Sequence, residues 1–136
     1  MRFVTSKTFP SSGHSIVYIE NKKEIFRGEA KLYPGETFSE LTGCRYAQER
    51  AEIKALKKEY KEKKAACEEC RKFVVAVQQY ANFNPEDPSA RAMFRQLNRR
   101  IREVNKLADE INKKEFNLQL AISQQDSFEQ RIAKND

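Results

Sequence analysis

Between Ala90 and Ile122 the apolar residues recur in alternating steps of four and three. Ala90, Phe94, Leu97, Ile101, Val104, Ala108, Ile111, Leu118 and Ile122 keep the spacing, with one miss at Glu115. A repeat of about 3.5 residues draws a narrow apolar seam along one side of a long helix, the signature of a coiled coil. The segment upstream carries a matching, weaker seam at Tyr46, Ile53, Leu56, Tyr60, Cys67, Cys70, Val74, Val77 and Ala81, interrupted by Glu49 and Lys63. Between the two lies Asn84-Pro85-Glu86-Asp87-Pro88-Ser89, a helix breaker in which Ser89 is a suitable N-cap for the second helix. A connection this short leaves neighbouring helices antiparallel.

The first third of the chain follows a different rule. Ser15-Ile16-Val17-Tyr18-Ile19-Glu20 is β-branched and aromatic, and Glu24 to Arg27 with Glu29 to Tyr33 follows after the polar Asn21-Lys22-Lys23. That pattern predicts a β-hairpin, to which Arg2-Phe3-Val4-Thr5 adds a third strand beyond the loop Pro10-Ser11-Ser12-Gly13. A small sheet needs an apolar surface to lean on. The base of the helical hairpin, near Tyr46, Ile53, Leu118, Ile122, Phe128 and Ile132, is the one on offer. Pro34-Gly35 ends the sheet, Thr37-Phe38-Ser39-Glu40 fits a capping box, and Gly43 is expected to end or kink a first short turn.

The expected fold class is therefore α+β, mostly α: an N-terminal small antiparallel β-sheet packed at the base of a long antiparallel two-helix coiled-coil hairpin. Residues 1–36 form the sheet and 37–136 the hairpin. Within the hairpin come a short helical turn at 37–42, a helix at about 45–82, a loop at 83–89 and a helix at about 89–133, all in one cooperative domain.

Composition supports long solvated helices over a thick core: 34% of the 136 residues are charged and the mean hydropathy is −0.83. No apolar run of about 18 residues is present to span a membrane. Met1 to Thr5 lead straight into a polar stretch without the apolar region of a secretory leader. Three cysteines, an odd number without a disulfide framework, fit a reducing, cytoplasmic setting.

The chain offers little catalytic chemistry. Cys67-Glu68-Glu69-Cys70 is a CxxC pair, and with Cys44 and His14 it supplies enough soft ligands for one zinc ion. On a helix, however, Cys67 and Cys70 fall on the seam, where small apolar side chains belong. An unbroken helix would also carry Cys44 about 35 Å from Cys67. Buried structural thiols are the expected reading, with zinc the alternative and no other cofactor indicated. His14, the only histidine, is read as an exposed loop residue with no nucleophile or orienting acid nearby. The four glycines stand singly, so no phosphate-binding loop exists. The expectation is a non-enzymatic protein.

Charge is the feature with geometry behind it. The net charge is +6. Residues 45–82 hold ten basic against six acidic side chains, residues 89–114 eight against three, and residues 115–136 two against four. Arg95, Arg99, Arg102 and Lys106, spaced four, three and four, share a face opposite the seam. Lys54, Lys57, Lys58, Lys61 and Lys64 avoid the seam of the first helix. Together these nine are the candidate partner-binding residues. Arginine suits bidentate contact with carboxylates or phosphates. The competing explanation is a solvated coiled-coil face stitched by i,i+4 pairs such as Glu59–Lys63. No aromatic side chains interleave with the stripes, which disfavours stacking on single strands, and no recognised DNA-reading motif is present.

The stretch Arg27-Gly28-Glu29-Ala30-Lys31-Leu32-Tyr33-Pro34-Gly35-Glu36-Thr37-Phe38, with Gly43, Ala47, Arg50 and Ala51 after it, resembles a pattern in small proteins of Firmicutes phages and mobile elements. Their order is a strand, Gly-x-Ala, a Pro-x-acid turn, a glycine, then Ala-x-x-Arg-Ala opening a helix. The family's acid is commonly Asp, where this chain has Glu36. Gly28 and Ala30 would let the strand approach a helix closely, so the pattern is a folding signature and not a site. The resemblance implies an accessory protein of a bacterial host cell that binds and blocks host machinery, anti-CRISPR proteins being one class. The implied partner is a host protein or ribonucleoprotein such as a Cas9-type effector. A basic chain is no DNA mimic, so an acidic protein surface or a guide-RNA complex is the expected target. The alternatives are a sequence-independent nucleic-acid-binding protein and a structural adaptor in phage assembly, with monomer or oligomer left open.

Overall fold

The computed structural model describes residues 1–31 and 40–135, with side chains described for 1–31 and 41–124. Three strands, β1 (Arg2–Phe9), β2 (His14–Asn21) and β3 (Glu24–Lys31), precede two helices, α1 (Glu40–Gln78) and α2 (Pro88–Asn135). The fold is α+β and mostly α. The Pro34-Gly35 sheet ending and the capping box at 37–39 lie outside the described residues, as do the side chains of Phe128 and Ile132.

The strands form one antiparallel sheet in the order β1-β2-β3. β2 and β3 meet from His14↔Lys31 to Asn21↔Glu24, so a two-residue turn joins them. Lys22 and Lys23 hold φ values of 51° and 66°. Two positive φ angles give this turn the twist that suits a hairpin, here without the glycine or asparagine that usually carries it. β1 is a full strand of eight residues, longer than the expected four, with an irregularity between Phe3 and Thr5. Gly13, at φ 63°, closes the β1–β2 loop.

Backbone contacts divide the chain into two compact units, Met1–Leu56 with Ile111–Asp136, and Lys57–Glu110. The division crosses both helices. In the first unit the core cluster is Val17, Ile19, Ala30, Ala47, Ala51 and Ala55, with Phe26, Cys44 and Tyr46 against it. The sheet thus rests mainly on an alanine column of α1, spaced four residues apart. Sequence reasoning had looked to the bulkier Tyr46 and Ile53. Gly28 explains the alanines, because a Cβ there would stand 1.8 Å from the Ala47 carbonyl oxygen and 2.6 Å from the Ala51 nitrogen. Only a helix with small side chains on that face can come so close.

Gly43 does not break α1, which runs without interruption from Glu40 to Gln78. The residue is small for packing reasons: a Cβ would meet the Ser15 Oγ at 2.4 Å. Tyr46 donates its hydroxyl to the Ala121 carbonyl at 3.3 Å, and Lys114 pairs with Glu52 at 3.6 Å. These contacts tie the start of α1 to the later part of α2 in antiparallel sense.

In the second unit, α1 ends at Gln78, four residues before the expected position. Its last turn tightens through Gln79 N–H to the Ala76 carbonyl and Tyr80 N–H to the Val77 carbonyl, at 3.3 and 3.2 Å. Ala81, expected on the seam, is exposed beyond the helix. α2 is capped by Asp87, not Ser89. The Ser89 N–H and hydroxyl both donate to Asp87 Oδ1 at 2.9 Å, and Pro88 takes the first helical position, where its missing N–H costs nothing. The Ser89 backbone bond and then its hydroxyl hold the Asp87 carboxyl below its usual pKa.

Candidate nucleic-acid-machinery binding face

The seam decides which side chains α1 and α2 can offer a partner. On α1 the ten positions from Tyr46 to Val77 in three-four steps, including Glu49 and Lys63, are all buried or half-buried. Cys67 and Cys70 are among them, half-buried and unbridged. No group of three or more His, Cys, Asp and Glu side chains able to hold a metal occurs among the described residues.

On α2 the seam keeps Ala90, Leu97, Val104, Ile111 and Leu118, all buried or half-buried. Its intervening line differs from expectation in the middle of the helix. Ile101 is 37% exposed, whereas Leu107, outside the expected set, is 6% exposed. Burial on this line moves to the preceding residue, from Ile101 toward Arg100 and from Ala108 to Leu107. The shift brings Arg100 inward, half-buried, and its Nε has no hydrogen-bond partner among the described residues.

The nine basic candidates separate under these constraints. Lys54 belongs to the first unit and donates its ammonium to the Arg27 carbonyl at 2.8 Å. Arg50 donates to the Glu29 carbonyl at 2.7 Å. Both acceptors lie on β3, an edge strand of the sheet. The two cations therefore occupy carbonyls that an exposed edge would offer to another strand. Lys64 stands 5.8 Å over the Tyr60 ring, and Lys57 and Lys58 also have interactions of their own. Of the α1 stripe only Lys61 has no partner among the described residues. The α1 lysines are largely spent on the protein's own structure.

The α2 stripe is different. Arg95, Arg99, Arg102 and Lys106 are exposed, and among the described residues none has a hydrogen-bond or ion-pair partner. Stitching does occur elsewhere, at Glu59–Lys63 (3.5 Å), Glu68–Arg71 (3.7 Å) and Arg45–Glu49 (3.6 Å). The stripe stands outside that network.

His14 is no loop residue. It opens β2, half-buried, and its Nε2 pairs with the Glu29 carboxylate, which also holds Arg27 at 3.3 Å. An acid that can orient the ring, not expected from the sequence, is therefore present as Glu29, and the register neighbours of His14 across the sheet are Phe9 and Lys31. Sequence reading missed a second feature, an open apolar groove of about 360 Å³ in the second unit. Phe73, Val77, Tyr80, Phe83, Ala90 and Met93 are among its lining residues. The exposed aromatics just outside the breaker were its one advance sign.

The chain thus has a three-stranded antiparallel sheet followed by two long helices, with Arg95, Arg99 and Arg102 exposed on one helix face and unpaired among the described residues. No helix among the described residues is long and apolar enough to cross a membrane. No protein-family model, curated protein or solved structure matches this chain.

Proposed function

We propose that this protein is a non-enzymatic binding protein of a phage or mobile element that inhibits a host nucleic-acid machine, a CRISPR effector of the Cas9 type being the partner, in the host cytoplasm. The observation that carries the reading is the stripe Arg95, Arg99, Arg102 and Lys106, four exposed cations on one face of α2 without partners among the described residues. Four cations on one helix face repel one another unless something anionic meets them. A long helix also presents them at fixed spacing, which suits recognition of an acidic protein surface. With no stacking side chains among them, the stripe fits carboxylates better than bare single strands.

The test is capture of a purified Cas9-type effector, with and without guide RNA, by the full chain at about 150 mM salt. Capture is expected, together with at least about a tenfold loss of affinity in R99E/R102E. Undiminished binding by that variant would remove the stripe from the reading. A chain that ignores the effector but binds bare duplex or RNA, with affinity falling steeply as salt rises, would be a direct nucleic-acid binder instead.

A further inference from the structure

Strand alternation sends every second side chain of the sheet toward α1 and the others away from it. Val17, Ile19 and Ala30 pack on the alanine column. His14, Ile16 and Tyr18 of β2 therefore lie on the opposite face. The register places Thr5, Lys7 and Phe9 of β1 on one side of them and Arg27, Glu29 and Lys31 of β3 on the other. The contacts agree with this: the Phe9 and His14 rings are 6.1 Å apart, and Glu29 holds both His14 and Arg27.

Three kinds of group on this face are unengaged. Phe9 is 45% exposed. Lys7 and Lys31 are exposed and have no partner among the described residues. The hydroxyls of Thr5 and half-buried Tyr18, register partners across β1 and β2, also have none. The acids of the face are occupied, Glu20 by Arg2 and Glu29 by His14 and Arg27. What remains is positive charge interleaved with rings. Rows on one face repeat every two residues, about 7 Å, so Phe9 and Tyr18 stand two rows apart with Lys7 in the row between.

We infer that this outer sheet face binds single-stranded RNA, with bases stacking on Phe9 and Tyr18, phosphates on Lys7 and Lys31, and a ribose 2′-hydroxyl on the Thr5 and Tyr18 hydroxyls. Single-strand sites alternate cations with aromatic rings, because each nucleotide brings one charge and one π-face. The α2 stripe has the cations without the rings, whereas the sheet has both. A duplex keeps its bases stacked on one another and offers these rings nothing. Hydroxyls that both donate and accept match the group that distinguishes RNA from DNA. The inference stands apart from the proposed function, since the sheet lies within the first unit and the stripe within the second.

The probe is a fluorescein-labelled RNA of about 12 nucleotides, adenosine alternating with cytidine so that it cannot pair with itself. Fluorescence anisotropy with the full chain at about 100 mM salt reads its affinity. Saturable binding is expected, weakened about tenfold by F9A through the loss of one stacked base. K7Q/K31Q should weaken it as well, and lower the slope of log affinity against log salt by about 1.4, the value for two phosphate contacts. Y18F keeps the ring and should reduce the preference for RNA over the deoxy oligomer of the same sequence. Circular dichroism checks that each variant keeps the parent's thermal unfolding. Absence of binding, equal binding of the deoxy oligomer or of an RNA duplex, or indifference to either F9A or K7Q/K31Q overturns the inference. So does a larger loss in R99E/R102E than in K7Q/K31Q, which would assign the binding to the α2 stripe. Effector capture is read on a different molecule and through other residues, so the two readings fail separately.

Discussion

At the scale of single residues, Gly28 shows how one missing side chain positions an element. Its Cα faces the α1 backbone so closely that the alanine column Ala47, Ala51 and Ala55 replaces the larger side chains a core usually holds. G28A should therefore cost about 3 kcal/mol, the upper part of the overpacking range, because the obstructing atoms are helix backbone and cannot rotate away. Urea unfolding measures it, and a loss under about 1 kcal/mol would mean that α1 can shift. Sequence legibility at this scale was uneven. Gly28 and Ala30 are recognisable as close-approach residues from the Gly-x-Ala order, whereas Gly43 carries the local signature of a residue that ends or kinks a short turn. Glycine's lack of a Cβ serves both purposes, and only the presence of Ser15 above it distinguishes them.

At the scale of elements, the helices were legible because burial along them is periodic, and period is a property of the sequence. Their ends were less so. α1 stops at Gln78 and α2 starts at Pro88 because i,i+3 bonds and the Asp87 carboxylate capture the terminal backbone groups. The phase of the α2 seam was also misread in the middle. L107A should cost about 2–3 kcal/mol, the usual penalty for emptying a buried leucine site, and I101A less than about 1 kcal/mol. Thermal or urea unfolding of the two variants gives the comparison. Equal losses would restore Ile101 to the seam. The shift of the buried line that takes in Leu107 also brings a guanidinium inward at Arg100.

At the scale of the whole molecule, burial is unequal between the two units. Of the fourteen buried hydrophobic residues among those described, the second unit holds Val74, Ala90 and Leu107. Fewer buried contacts mean a lower free energy of local opening. Amides of α1 after Lys57 and of α2 before Glu110 should exchange hydrogen faster than those at Ala47 to Ala55, by mass spectrometry under native conditions. Uniform protection along α1 would instead mean that both units open together. The α2 stripe and the apolar groove both belong to this less buried unit.

What the sequence determined by itself is the class of structure: a short sheet, two long helices, their antiparallel order, and arginines kept off the seam. Each follows from local spacing, since a helix turns each residue by a nearly constant angle and a strand alternates. The tertiary structure decided which cations remain for a partner. Lys54 and Arg50 go to the carbonyls of β3, and Lys64 to Tyr60, while Arg95, Arg99, Arg102 and Lys106 have no partner among the described residues. Lysines on a helix wheel look alike until a neighbouring strand supplies an acceptor. That acceptor lies 27 residues away in the chain for Lys54, beyond the reach of any local pattern.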